Sequence, residues 1–176
     1  HATSLVKYDA GASFNSHNHP LGEEILVLEG TFSDETGDFH AGTYFRNPMG
    51  FIHSPFSKEG CVILVKLHQM NPEDKERKAI ETDKAHWQEM ENGVKILTMH
   101  EFGTEKVQLT DILAGAGSSL HSHNGGEEIY VIRGKYCDEF GEYGAGFWSR
   151  LPHGIEHKPV FIEDSLLWIK SGHLPA

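Results

Sequence analysis

The sequence predicts an all-β protein built from two antiparallel β units, each a sandwich or a small barrel, that are related by duplication. Two observations predict this fold: an internal repeat, and many short apolar runs that end in glycine or proline. Shifting the chain by 104 residues aligns 11–66 with 115–170 without a gap, and 22 of those 56 positions are identical. Since many short strands recur at even spacing in both copies, each copy is expected to form its own sandwich or small barrel.

The elements of each copy follow one order. Apolar, β-branched runs come first and end in glycine. Acidic turns rich in glycine come next and predict a hairpin. Aromatic strands stopped by proline follow, and a second apolar run closes the copy. The paired segments, first copy then second, are EILVLEG and EIYVIRG, DETGD and DEFGE, TYFRNP and FWSRLP, and GCVILVKL and DSLLWIKS.

These elements place the first barrel at residues 1–70, a charged connector at 71–86 and the second barrel at 87–176. Asn71-Pro72 predicts the start of one short helix in the connector. Residues 87–104 predict strands that have no counterpart in the first copy. The first barrel is therefore expected to be one strand short, or to be completed by residues before His1 or by a partner chain.

Composition excludes several classes of partner. The net charge of −11 would repel nucleic acid and anionic membranes. No apolar run approaches 18 residues, so no membrane-spanning helix is predicted. The two cysteines, Cys61 and Cys137, form no CxxC pair, which disfavours a disulfide framework and fits a cytoplasmic location. A small-molecule ligand and a homodimer remain compatible with the sequence.

Polar side chains with metal-binding chemistry recur at the same places in both copies. Alternate residues of a strand point the same way, so the two histidines of an HxH segment can aim at one point. A glutamate follows a turn, and a third histidine comes 30 residues after it. The candidate ligands are His17, His19, Glu23 and His53 in the first copy, and His121, His123, Glu127 and His157 in the second.

Each copy has two adjacent glutamates, and alternation favours the first of them. Glu23 shares a strand face with Ile25 and Val27, and this face is identical in the second copy. On the other face, Leu26 and Leu28 are replaced by Tyr130 and Ile132 in the second copy. Glu24 and Glu128 are therefore expected to pair with a cation or to cap a strand edge.

The spacing resembles that of the cupin superfamily. G-x5-H-x-H-x3-E-x6-G begins at Gly11 and again at Gly115, and G-x5-P-x-G-x2-H begins at Gly42 and at Gly146. The resemblance implies a bicupin, in which two double-stranded β-helix (jelly-roll) barrels each hold one divalent metal ion. Zinc or iron is expected first, with manganese or nickel as alternatives. The asparagine that trails the second motif is replaced here by Ser57 and Phe161.

The segments GEEILVLEGTFSDETGDFHAGTYFRNP and KSGHLP resemble the ChrR-type cupin domain. That resemblance implies a sensory or regulatory zinc module. No segment matches the Cys/His zinc module with which ChrR binds a sigma factor, so the resemblance does not imply an anti-sigma role. Small cupins of similar sequence also include Fe(II) dioxygenases that cleave β-diketones. A mononuclear metal enzyme is therefore the alternative function.

Two further groups of residues bear on the site. Arg46 and Arg150 either form inter-strand ion pairs or line a pocket that grips an anionic substrate, with Tyr44 and Trp148 as pocket walls. The acidic turns at 34–35 and 138–139 are expected to be solvated.

Overall fold

The computed structural model describes residues 2–175, which form two compact units that divide between Ala85 and His86. Both units are built from β-strands, and the predicted all-β fold is confirmed. The one helical element among the described residues is a short 3-10 turn at Glu91–Gly93. Within the same residues, no helix is long and apolar enough to cross a membrane.

The first unit folds around one long strand. Its strands are β1 (Ala2–Tyr8), β2 (Ala12–Ser13), β3 (His17–Asn18), β4 (Glu23–Asp34), β5 (Gly37–His40), β6 (Thr43–Asn47), β7 (Ile52–His53), β8 (Phe56–Ser57), β9 (Cys61–Leu67) and β10 (Lys78–Glu81). The main sheet has the order β1-β9-β4-β6-β10. A register shift between Val27 and Glu29 bends β4, so its second half pairs with β5 and β8 on the other side of the barrel.

The second unit repeats this plan. Its strands are β11 (Gln88–Glu89), β12 (Val94–Phe102), β13 (Glu105–Ile112), β14 (Glu127–Arg133), β15 (Lys135–Asp138), β16 (Gly141–Gly144), β17 (Trp148–Leu151), β18 (Val160–Phe161) and β19 (Ser165–Ser171). The main sheet runs β11-β12-β13-β19-β14-β17, and β16-β15-β18 forms the facing sheet. A register shift between Val131 and Arg133 lies at the position of the bend in β4.

Each barrel encloses an apolar core drawn from alternate residues of its strands. The first core contains Ile25, Val27, Phe32, Phe39, Phe45, Cys61, Ile63 and Val65. The second contains Ile112, Ile129, Val131, Tyr136, Phe161 and Leu167. Because side chains alternate along a strand, Glu23 and Glu127 share the inward face with these residues, whereas Glu24 and Glu128 face outward.

The connector is part of the first unit, and the helix predicted at Asn71-Pro72 is wrong. The Asn71 side chain accepts a hydrogen bond from the backbone amide of Glu73, which makes a turn instead of a helix start. The chain then runs on as β10 along the edge of β6. Pairing with a sheet edge satisfies more backbone groups than one isolated helical turn could.

Among the described residues, each unit carries an edge strand that has no counterpart in the other. In the first unit β10 covers β6, and in the second β12 covers β13. The strands predicted over 87–104 therefore form, and they have no counterpart among the described residues of the first unit.

The loop after β19 depends on Gly172. Its φ is 74°, and a Cβ there would collide with the backbone carbonyl oxygen of Thr104. We expect Gly172→Ala to lower the free energy of unfolding by about 2–3 kcal/mol, measured by urea denaturation. Gly103→Ala is the matched control, because φ is 59° there but a Cβ would meet no atom. It should cost about 1 kcal/mol. Equal losses would contradict the steric argument.

Candidate metal centres

Antiparallel pairing assembles the first site. His17 in β3 pairs directly with His53 in β7, and His19 lies two residues beyond His17. Glu23 begins β4 immediately after a turn in which the Gly22 amide donates to the His19 carbonyl. One ring nitrogen from each of the three histidines lies within 4.8 Å of the others. A strand pair and a tight turn thus bring residues from three parts of the chain to one point.

Glu23 completes this cluster. Its Oε1 lies 3.2 Å from His53 Nε2, and its Oε2 lies 3.4 Å from His19 Nε2. Asn47 donates a hydrogen bond to Oε1 over 2.8 Å, which fixes the carboxylate. Glu24 lies on the other face of the sheet, where Tyr44 and Arg46 donate to it. The choice between the two adjacent glutamates therefore follows the strand alternation.

The second site has the same arrangement. His121 and His157 are bridged by two backbone hydrogen bonds, and the ring nitrogens of His121, His123 and His157 lie within 4.8 Å of one another. Glu127 Oε1 is 3.2 Å from His123 Nε2, and Glu127 Oε2 is 3.4 Å from His157 Nε2. The structure thus brings together all eight ligands predicted from the sequence, four in each unit.

Several of these atoms are buried without a hydrogen-bond partner. Within the described chain they include the Nε2 atoms of His53, His123 and His157 and Oε2 of Glu127. Burying polar atoms without partners is costly, so a cluster of them aimed at one point calls for a group that satisfies them together. A metal ion fits this requirement, because its bonds replace the missing hydrogen bonds.

The lowered pKa values of His19 and His123 suit metal binding. Burial lowers the pKa of His19 to about 4, and the neighbouring His17 and His53 add to that shift. Burial also lowers the pKa of His123, with His121 adding to it. Neutral imidazole is the form that binds metals. Burial raises the pKa of Glu23 and takes that of Glu127 to about 8, because a charged carboxylate is costly inside an apolar cavity. A bound divalent cation would offset that cost.

A second carboxylate, which was not predicted from the sequence, supports the third histidine of each site. Asp34 Oδ2 lies 3.5 Å from His53 Nδ1, and Asp138 Oδ2 lies 3.6 Å from His157 Nδ1. The prediction that these turn aspartates are solvated is wrong, because both side chains are buried. Burial alone would lower the pKa of His53, but Asp34 and Glu23 raise it. The sequence did contain a signal for this role, because the aspartate is identical in the two copies of the repeat, at Asp34 and Asp138.

Asp34 should govern metal affinity through His53. A carboxylate on the far nitrogen of a metal-binding histidine fixes its tautomer and orientation. We expect Asp34→Asn to weaken metal binding at the first site by roughly 10- to 100-fold, measured by isothermal titration calorimetry. Asp38→Asn is the control, since Asp38 lies in the same hairpin but accepts from Ser33. If Asp38→Asn weakened metal binding as much as Asp34→Asn does, the role of Asp34 in orienting His53 would be contradicted.

The four residues proposed as a pocket lie outside the sites. Arg46 is fully buried between Glu24 and Asp74, with Nη2 at 2.7 Å from Asp74 Oδ2. Tyr44 lies beside it and donates to Glu24. Arg150 donates to Glu128, and its guanidinium lies over the Trp148 ring.

The ion-pair alternative describes both arginines, and the fully buried Arg46 has no face left for a substrate. The pocket at the half-exposed Arg150 and Trp148 stays a prediction. Cross-strand register explains the outcome. Arg46 pairs with Glu24 and Arg150 pairs with Glu128, so both arginines take the outward face.

Each candidate site opens into an apolar cavity inside its barrel. The second cavity has a volume of about 280 Å³, and the first of about 200 Å³. Ile129, Phe161 and Leu167 line the second cavity together with the three histidines and Glu127. Among the described residues that line either cavity, none is lysine or arginine. A small apolar molecule could therefore approach the histidines, whereas a dianion would find no cationic side chain in the lining.

A histidine at the rim of the first site has no equivalent in the second. His68 has a φ of 60°, and its ring centroid lies 5.6 Å from that of His19. The equivalent position in the second unit is Gly172. Residues other than glycine disfavour this backbone conformation. His68 therefore places an imidazole at the first site at the cost of backbone strain, and Gly172 avoids that strain in the second unit.

Comparison with known families agrees with this geometry. The family model for the ChrR cupin-like domain matches residues 1–71 and 75–175. The chain belongs to this family. The ChrR-type resemblance inferred from the sequence is thereby confirmed. No curated protein matches the sequence.

Solved structures resemble this cupin in fold. A candidate dioxygenase from Nostoc punctiforme has a TM-score of 0.79 at 15% identity, covering 98% of this chain and 69% of the other. Bacillus subtilis oxalate decarboxylase, described with Mn(II) centres, has a TM-score of 0.66 at 19% identity, covering 98% and 68%. Lactobacillus farciminis oxalate decarboxylase in complex with formate has a TM-score of 0.71 at 15% identity, covering 99% and 78%. At these identities the likeness establishes the bicupin fold.

Proposed function

We propose that this ChrR-type cupin binds one divalent transition-metal ion in each barrel and acts as a sensory or regulatory metal module. One observation carries the metal proposal. Two clusters at equivalent positions each combine three imidazoles with one carboxylate, and buried ligand atoms in both clusters lack hydrogen-bond partners. The proposed ligands are His17, His19, Glu23 and His53 in one barrel, and His121, His123, Glu127 and His157 in the other.

The protein residues have distinct roles in this proposal. The paired histidines of β3 and β7 fix the spacing of two nitrogens, because their backbones are bonded to each other. Asn47 orients Glu23, and Asp34 orients His53. Three nitrogens and one oxygen suit zinc, iron, manganese and nickel. Zinc or iron is our first expectation, and the Mn(II) centres of a structural neighbour support manganese as an alternative.

Chelation and reconstitution test the metal proposal. The chelator-treated protein should take up two Co²⁺ ions per chain and show the d–d absorption bands of cobalt bound by nitrogen and oxygen. For a regulatory module, zinc should displace the cobalt and remain bound through dialysis without turnover of candidate substrates. A protein that takes up no cobalt after chelation would contradict the proposal.

A second candidate function, a mononuclear metal enzyme, is favoured by the cavities. An apolar chamber of about 280 Å³ adjoins the second set of histidines, which a purely structural site would not need. The bound metal would supply Lewis acidity and an open position for a reactant. The absence of lysine and arginine from the described lining favours a neutral carbonyl compound, such as a β-diketone, over a dicarboxylate.

Oxygen uptake separates the two functions. The Fe(II)-loaded protein should consume oxygen when acetylacetone is added if the enzyme proposal holds. Leu167→Trp fills the second cavity away from the proposed ligands and should abolish the share of uptake that the second barrel contributes, while leaving metal binding intact. No uptake by the iron-loaded wild-type protein would leave the regulatory module as the better account.

A further inference from the structure

The cavity of the second barrel is more polar than that of the first at positions that both units share. Every described residue that lines the first cavity has its counterpart in the lining of the second. At four of these positions the second cavity has a hydroxyl group and the first an apolar side chain. The pairs, second unit first, are Thr110 and Val6, Ser118 and Phe14, Tyr136 and Phe32, and Ser171 and Leu67. One pair is reversed, with Tyr8 in the first cavity and Ile112 in the second.

The backbone shows that these pairs occupy equivalent places. The members of a pair oppose the same partner position, each in its own unit. The matched oppositions are Val6–Ile63 with Thr110–Leu167, Phe32–Phe39 with Tyr136–Tyr143, and Leu67–Glu23 with Ser171–Glu127. Phe14 and Ser118 each donate the backbone amide to the carbonyl of the proline two residues after the third histidine. The difference in polarity therefore lies in the side chains, and it does not depend on strands that only one unit has.

The hydroxyl groups are spread along the length of the second cavity. Ser171 opposes Glu127 in the sheet, so it lies at the end that holds the candidate metal ligands. Lys106 opposes Ser171 from the other side, and Thr110 lies four residues farther along β13, which corresponds to about 13 Å. The cavity thus has polar groups both beside the metal ligands and far from them.

The far end offers hydroxyl groups to a molecule in the cavity. Thr110 is 7% exposed, and its hydroxyl has no hydrogen-bond partner among the described residues. Tyr136 lines the same cavity from the facing sheet, and its hydroxyl makes one long contact of 3.4 Å with Ser149 Oγ. Burying a hydroxyl without a good partner is costly, so a ligand that hydrogen-bonds to these two residues would gain affinity.

We propose that the second cavity recognises an uncharged ligand with two polar ends. One end carries the atom that meets the metal ion, and the other carries a hydroxyl or carbonyl group that hydrogen-bonds to Thr110 and Tyr136. The first cavity does not select such a ligand, because Val6 and Phe32 offer no hydrogen bond at these places. This inference rests on the proposed metal sites, and it applies both to a sensed molecule and to a substrate.

Two aryl imidazoles that differ by one hydroxyl group are the probes. Under mildly alkaline conditions 4-phenylimidazole offers an uncharged nitrogen to the metal, and 4-(4-hydroxyphenyl)imidazole adds a hydroxyl at the far end. His53→Ala should confine Co²⁺ to the second barrel, and His157→Ala should confine it to the first. Titrations followed through the d–d bands then give the affinity of each cavity by itself. We expect the second barrel to bind the hydroxylated probe about 10-fold more tightly than 4-phenylimidazole, and the first barrel to bind both equally.

Protein variants assign this preference to the two residues. Thr110→Val and Tyr136→Phe place the residues of the first cavity in the second with almost no change of shape. Introduced together into the His53→Ala protein, they should remove the preference for the hydroxylated probe and leave Co²⁺ binding unchanged. Thr43→Val is the matched control at a buried threonine that lines neither cavity, and it should keep the preference.

Three results would overturn the proposal. They are no binding or equal binding of the two probes by the Co²⁺-loaded second barrel, a preference that survives Thr110→Val with Tyr136→Phe, and a preference of the same size in the first barrel. Failure of the metal proposal is a separate result, because a protein that takes up no Co²⁺ shows no d–d bands before either probe is added.

Discussion

His53→Ala should remove tight metal binding from the first barrel and lower the stoichiometry from two ions per chain to one. His53 is the most buried imidazole of its site and lies against both Glu23 and Asp34. Structural zinc sites in small peptides contribute about 10–16 kcal/mol through four ligands, and on that scale losing one ligand should weaken binding roughly 100- to 1000-fold. Competition titration against a chromophoric chelator measures both the affinity and the stoichiometry.

The duplication provides the controls for this experiment. His157→Ala should have the same effect on the second barrel, and the double variant should bind no metal. His40→Ala changes an exposed histidine that contacts Thr31, and it should leave both ions in place. Retention of two ions by His53→Ala would contradict the proposed ligand set.

Arg46→Met should lower the free energy of unfolding by about 3–5 kcal/mol, because it leaves Glu24 and Asp74 buried without the guanidinium between them. The measurement is urea denaturation of the metal-free protein at neutral pH. Arg133→Met is the matched control. Arg133 pairs with Asp111 at the surface, where an ion pair contributes less than about 1 kcal/mol.

A triple variant tests the cause of this loss. Combining Arg46→Met with Glu24→Gln and Asp74→Asn removes the buried charges as well as the cation. It should recover a large part of the stability lost in Arg46→Met alone. Equal costs for Arg46→Met and Arg133→Met would contradict the assignment of Arg46 to a buried ion network.

The repeat made the candidate sites predictable from the sequence. Two HxH segments in register already restrict the imidazoles to one face, and alternation along β4 separates Glu23 from Glu24. The sequence did not predict where Arg46 points, because the direction of its side chain depends on which residue of β4 lies opposite it. Cross-strand register is set by long-range pairing, which the local pattern of β6 does not contain.

Other features were missed because local signals competed with tertiary contacts. Asn71-Pro72 is a valid helix start, but the edge of β6 offered the following residues a strand partner. Asp34 looks like a solvated turn residue, yet the bend of β4 carries it inward to His53.

Elemental analysis of the protein purified without added metal tests the central claim most directly. Two barrels with equivalent ligand clusters predict close to two transition-metal ions per chain, falling to one in His53→Ala or His157→Ala and to none in the double variant. A wild-type protein that contains no transition metal and takes up none when reconstituted would contradict the account.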